Sequence, residues 1–197
     1  MAIPVVDLVM SLRYALGDMQ GLNISDYELI EPINQAASKL YGRLSERFVH
    51  EAVAEKEVTV TTDNEPVTLE DSFVRIHQVL GVEDTSKGED YMKVIIPTSN
   101  RKAVFGAYRI IGRDFKAKAG KYVIEYYYVP VKVDALSDNL AVPESMRTWI
   151  EQLALAYYRK DYATAEGIMQ QCESVLAGRD VAHFENTNPA QTLGARG

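Results

Sequence analysis

Three histidines, one cysteine and several adjacent carboxylates are the residues of this chain whose chemistry could be put to use. His50, His77 and His183 stand alone. None has a second histidine or a cysteine at metal-ligand spacing, and neither HExxH nor CxxC occurs, so each reads as a surface or half-buried side chain rather than a ligand. Cys172 lies on the apolar side of a helical pattern, away from any helix N-terminus that would lower its pKa. It reads as a small buried hydrophobe, and as a single cysteine it excludes an internal disulfide. No serine sits in a GxSxG elbow, and no phosphate-cradling glycine motif is present. Glu70-Asp71 and Glu89-Asp90 fall in turn-rich stretches, where solvated charge is the default and an acid/base pair at glycosidase separation the exception. These residue types point to no catalytic site, no metal and no cofactor.

Charge is distributed in blocks. The chain carries a net charge of −7. Residues 51–90 hold eleven acids against three bases, and residues 91–130 hold eight bases against two acids. Adjacent blocks of opposite sign suggest complementary surfaces, either hairpins paired within one sheet or subunits meeting in an assembly. The basic block is interleaved with Phe105, Tyr108 and Phe115, which could stack on bases. The acidic balance of the whole chain and the need of strands for core aromatics argue against sequence-specific nucleic-acid binding. Tyr126-Tyr127-Tyr128 alternates its faces as a strand, so core and rim positions should alternate with it, as packing alone or as packing plus a subunit contact.

The elements around these residues follow from periodicity. At 197 residues the chain is long enough to bury a sizeable core. No apolar run approaches a bilayer span, and Met1-Ala2-Ile3-Pro4 lacks the basic start of a signal peptide, so synthesis in a cytosol and no membrane partner are expected. Val5, Leu8, Val9, Leu12 and Leu16 predict a helix from Pro4 to Leu16, ended by Gly17 and Gly21. Ser25 followed by Glu28 is a capping box opening a second helix that runs to about Phe48, with Pro32 either kinking it or delaying its start. From Glu57 the period becomes two. Short strands are predicted at Val58 and Val60, from Pro66 to Leu69, and from Phe73 to Leu80, with Phe73, Arg75, His77 and Val79 on one side. Further strands are predicted from Tyr91 to Ile96 and as a meander from Tyr108 to Val129. Met146, Trp149, Ile150, Leu153 and Tyr157 form a third helical stripe. Tyr162, Ala165, Ile168, Met169, Cys172, Val175 and Leu176 form a fourth, with Gly178 a C-cap signal.

This order of elements resembles the head-to-tail connector (adaptor) proteins of tailed bacteriophages. It is similar to the portal-adaptor ring proteins of short-tailed phages, the tail tubular protein A group among them. The likeness is carried by the N-terminal helix, Ile33-Asn34-Gln35-Ala36 and Leu40-Tyr41 of the second helix, Val142-Pro143-Glu144 before Trp149-Ile150, Tyr157-Tyr158-Arg159-Lys160-Asp161, and the closing helix and tail. It implies an α+β fold in which N- and C-terminal helices form one helical bundle with a projecting antiparallel β insert. The segments would be 1–56 for the first helices, 57–130 for the insert, 131–179 for the closing helices and 180–197 for a flexible arm. It implies a structural virion protein, made in the host cytoplasm and placed in the neck. There it would form a homo-oligomeric ring, often twelvefold, that docks on the portal protein, meets a downstream tail or nozzle protein, and lets DNA pass unread. In that setting Phe184 and Leu193 would anchor the arm on a partner. Glu83, Asp84, Glu89 and Asp90 would be candidate channel lining, because carboxylates repel phosphates, or simply a solvated acidic face. The competing expectations are a small-ligand or carbohydrate-binding β module, argued against by a lone Trp149, and an enzyme, for which a convergent site is missing.

Overall fold

A computed structural model describes residues 2–82, 92–99 and 106–187. Its elements are β1 (Ile3–Pro4), α1 (Val5–Leu16), α2 (Asp26–Glu46), β2 (Val53–Val60), β3 (Val67–Thr68), β4 (Phe73–Val82), β5 (Met92–Val94), β6 (Ile96–Pro97), β7 (Ala107–Ile111), β8 (Asp114–Lys116), β9 (Gly120–Tyr128), β10 (Asn139–Leu140), α3 (Arg147–Tyr158) and α4 (Tyr162–Thr187). They divide into two compact units, Met1–Glu51 with Pro130–Gly197 and Ala52–Val129.

The first unit holds the helices. In α1 the residues Val5, Leu8, Val9 and Leu12 are buried, the i, i+3, i+4, i+7 stripe of an amphipathic helix. Gly17 closes it at φ 74, a left-handed value that glycine adopts without a Cβ penalty. α2 opens on a complete capping box: Ser25 Oγ accepts from Glu28 N, and Glu28 Oε2 accepts from Ser25 N at 2.8 Å. Pro32 does not delay the helix, which starts at Asp26 and runs through it. Two helix ends use the left-handed cap without glycine. Phe48 at φ 63 follows α2 and Lys160 at φ 57 follows α3, and in each case its own N–H and that of the following residue donate back to the last turn. α2 packs on α3, α3 on α4, and α1 on both α2 and α3. Asn34, buried in α2, ties in the chain that enters the closing half of the unit. Its amide donates to Val133 O at 2.8 Å and accepts from Val133 N at 2.9 Å. Arg43 of α2 bonds Glu166 of α4 at 2.6 Å and pairs with Glu173. β1 and β10 add a two-stranded antiparallel ribbon.

The second unit is two four-stranded sheets, in the orders β2-β9-β4-β5 and β3-β8-β7-β6. β9 is the spine of the first, with β2 antiparallel on one side and β4 antiparallel on the other. Tyr126, Tyr127 and Tyr128 are all buried, so β9 is covered on both faces and the expected alternation of core and rim fails there. The alternation expected along β4 fails as well. Its register against β9 shifts between Phe73 and Arg75 and again between Ile76 and Gln78, leaving Val74 and His77 as extra residues.

The expectation of one helical bundle carrying a projecting antiparallel insert is overturned. The strands of residues 52–129 have their own core of Leu69, Val79, Phe115, Ala117, Ile124 and Tyr127. They form two sheets, one of which contains a parallel pair, β6 with β7. The physical reason is that apolar residues on both sides of β9 need two covering layers, which a single insert sheet with one wet face does not supply. A third, small sheet belongs to the helical unit. α4 departs from expectation too: it passes through Gly178 and ends at Thr187.

Candidate functional site

α1 carries a second apolar line beside its buried stripe. Val6, Met10 and Tyr14, four residues apart, are exposed, Tyr14 to 77 %. In the α1–α2 connection Met19 and Leu22 are exposed too, as is Tyr27 at the start of α2, and Met19 lines a groove with Met10 and Tyr14. Exposed apolar side chains scattered singly need no explanation, whereas Val6, Met10 and Tyr14 on one helix side, with Met19 lining the same groove as Met10 and Tyr14, form a patch that does.

The loop that presents part of this line is not slack. Arg13, buried, bonds Asp18 Oδ2 at 2.8 Å and Asp26 Oδ1 at 2.6 Å. Asp18, also buried, accepts at Oδ1 from Leu22 N, Asn23 N and the Asn23 amide, and at Oδ2 from Ile24 N. Burial works to raise the Asp18 pKa, but the backbone donors of Asn23, Ile24 and Leu22 outweigh it and hold the group below its ordinary value. Gly21 turns beside this clasp at φ 65, and a Cβ there would stand 3.1 Å from the Arg13 guanidinium. Met19 and Leu22 are therefore held outward on an ordered loop.

Next to the line lies an open groove of about 520 Å³, lined by Asp7, Met10, Ser11, Tyr14, Met19, Arg147 and Glu151. Arg147, at the start of α3, bonds Glu151 at 3.0 Å and Glu144 at 3.1 Å and lies 3.9 Å from Asp7. The hydrogen bonds to Glu151 and Glu144 raise its pKa. One cation thus faces three carboxylates, and the rim keeps an acidic excess.

The β unit accounts for part of the charge blocks internally. Lys118 pairs with Asp63 at 2.7 Å, Lys56 with Glu70 at 3.3 Å, and Arg113 with Asp71. Two cations are left facing each other. Arg109 on β7 stands directly opposite Lys116 on β8, and no carboxylate among the described residues is in ion-pair reach of either. Exposed Ile96 and Ile111 accompany them at the surface of this sheet.

The histidine best placed for chemistry is His77, on the second bulge of β4. Its Nδ1 is 3.1 Å from the Tyr127 hydroxyl, its ring meets the Tyr127 ring edge-on at 5.3 Å, and Nε2 is 3.9 Å from Glu125. Arg75 lies over the Tyr127 ring at 5.0 Å. The cluster anchors a bulge against β9. Cys172 is buried in α4, as its helical position predicts. Among the described residues no cluster of three or more His, Cys, Asp or Glu could hold a metal ion, and no helix is long and apolar enough to cross a membrane.

Of the residues singled out from sequence, Glu83, Asp84, Glu89, Asp90 and Leu193 lie outside the described residues. Phe184 falls within α4, so residues 180–187 of the expected arm are helical and the rest of it lies outside the description. The α1 line, the Arg13–Asp18 clasp and Arg147 were not singled out. Their signal was available in Val6, Met10 and Tyr14, which make α1 apolar on two sides. The chain matches no known family profile and no curated protein.

Proposed function

We propose that this chain is a structural subunit of a tailed-bacteriophage neck: a head-to-tail adaptor that forms a homo-oligomeric ring, docks on the portal protein and carries the DNA channel on to the next tail component. The phage assignment rests on the resemblance described above. The observation in favour of an assembly subunit is the run of exposed large apolar residues Val6, Met10, Tyr14, Met19 and Leu22 on α1 and the ordered loop after it, with Tyr27 exposed at the start of α2. Apolar surface held in a fixed conformation loses little entropy on docking, which suits a permanent interface. Aromatic and methionine side chains such as Tyr14, Tyr27, Met10 and Met19 are the types enriched at interface cores. In this reading the role is mechanical, and DNA passes without base-specific contact.

Cryo-electron microscopy of intact particles tests it. The expected result is ring density for this chain between portal and tail, with the α1 line against protein. Particles whose neck is complete without this chain would sink the proposal.

A further inference from the structure

We infer that the cationic face of the β3-β8-β7-β6 sheet docks head to tail into the acid-rimmed groove beside α1 of a second copy. The inference rests on the ring reading and names the contact that would build the ring. Each surface lacks what the other has. On the sheet, Arg109 and Lys116 are cross-strand neighbours of like charge, a pairing that destabilises a sheet unless a counter-charge arrives. The one carboxylate in this register, Asp114 opposite Ile111, is hydrogen-bonded by the Thr68 hydroxyl at 2.8 Å. In the groove, Asp7 and Glu151 share the lining with the single Arg147, so one negative charge remains in excess, and Glu144 pairs with the same Arg147. With Asp114 counted, the sheet face keeps one positive charge in excess, opposite in sign to the excess in the groove.

The apolar parts match in the same way. Ile96 and Ile111 are exposed beside the cations, and Met10, Tyr14 and Met19 line the groove. Methionine adapts its shape to an incoming aliphatic group, and tyrosine adds area with a polar tip. Because the two surfaces differ, each copy offers one and receives the other. Such a heterologous contact propagates and closes into a ring where the rotation allows. A two-fold contact of the groove with itself would instead set acid against acid.

Charge swapping tests the contact. One chain carries Arg109→Glu with Lys116→Glu, and a second carries Asp7→Lys with Glu144→Lys. All four positions are at the surface, and circular dichroism with melting checks that both chains fold. Association is read by sedimentation velocity and native mass, alone at graded concentration and with the portal protein. Wild type should associate, more weakly at high salt. Each swapped chain should associate at least about tenfold more weakly, since like charges across an interface are strongly unfavourable. An equimolar mixture of the two, or all four changes in one chain, should restore association. Swapped chains that assemble as wild type does, or folded chains whose mixture fails to restore assembly, overturn this contact and leave the ring reading standing. Wild type that stays monomeric at every concentration and with the portal overturns both. Duplex DNA that binds wild type but not the Arg109→Glu/Lys116→Glu chain, while association is unchanged between the two, assigns the face to nucleic acid and overturns the docking.

Discussion

The helical unit and the β unit solve the problem of buried polar groups in opposite ways. The helical unit buries polar side chains in mutual hydrogen bonds, as in Arg13 with Asp18 and Asn34 with both backbone groups of Val133. The β unit buries large aromatic bodies, with hydroxyls at Tyr126, Tyr127 and Tyr128, and uses their bulk on both sides of β9. In the first case position is specified by hydrogen-bond geometry, in the second by volume. The two units should therefore respond differently to changes that remove polarity and changes that remove mass.

The largest effect should come from removing mass in the β unit. Tyr127→Ala deletes a fully buried ring beside His77 and should destabilise that unit by about 3–5 kcal/mol. Amide hydrogen exchange in β9 reads it, with the helical unit as internal control. Next comes removing polarity in the helical unit. Asn34→Leu keeps the branched outline, with somewhat more bulk, but orphans Val133 N–H and C=O, which should lower stability by about 2–4 kcal/mol, measured by urea denaturation. The sharper comparison is Tyr127→Phe, which removes only a hydroxyl from the β unit and should cost about 0.5–1.5 kcal/mol. If Tyr127→Phe destabilised more than Asn34→Leu, the contrast between the two units would collapse. Ser25→Ala, at an exposed helix start, should cost about 1 kcal/mol and raise exchange only in the first turns of α2.

Near neutrality the smallest effect is that of acid. The carboxylates of Asp18, Glu28, Asp63, Asp138, Asp161 and Glu166 are all held below their ordinary values of 3.8 for Asp and 4.5 for Glu. Groups depressed in the folded state contribute stability that is complete above those ordinary values and is lost as pH falls through the lower, folded ones. Melting temperature should be flat from pH 7 to about pH 5 and fall below that. A melting temperature that rose on acidification below pH 4 would contradict the paired geometry of these groups.

What could be read from sequence was what is local. The Ser25–Glu28 box and the stripe of Val5, Leu8, Val9 and Leu12 fix α1 and the start of α2 because capping and helical period act within a few residues. Gly178 misled because a glycine near a helix end is only a signal. α4 continues past it to Thr187. The β unit was less legible. β9 pairs with β2 and β4, whose partner residues lie between 41 (Gly81 with Tyr122) and 74 (Val53 with Tyr127) positions away in sequence, and no period states that both faces of β9 will be covered. The bulges at Val74 and His77 are invisible to a reading that assigns faces by strict alternation from Phe73 to Leu80. The groove was illegible for a related reason: α1 shows two apolar lines, and periodicity does not say which one a neighbour will cover.

The pairing of α2 with α3 has a consequence during synthesis. Glu46 ends one helix and Arg147 opens the other. At roughly 5–20 residues per second, a ribosome takes about 5–20 s to deliver α3 after α2 has emerged. Through that interval Leu29, Ile33, Leu40 and Leu44, all buried in the finished protein, wait without α3 to cover them. The β unit, whose residues are contiguous in the chain, is complete before α3 exists. The nascent chain thus holds a finished β unit beside an unsatisfied α2, and α2 is the segment that a chaperone would meet first.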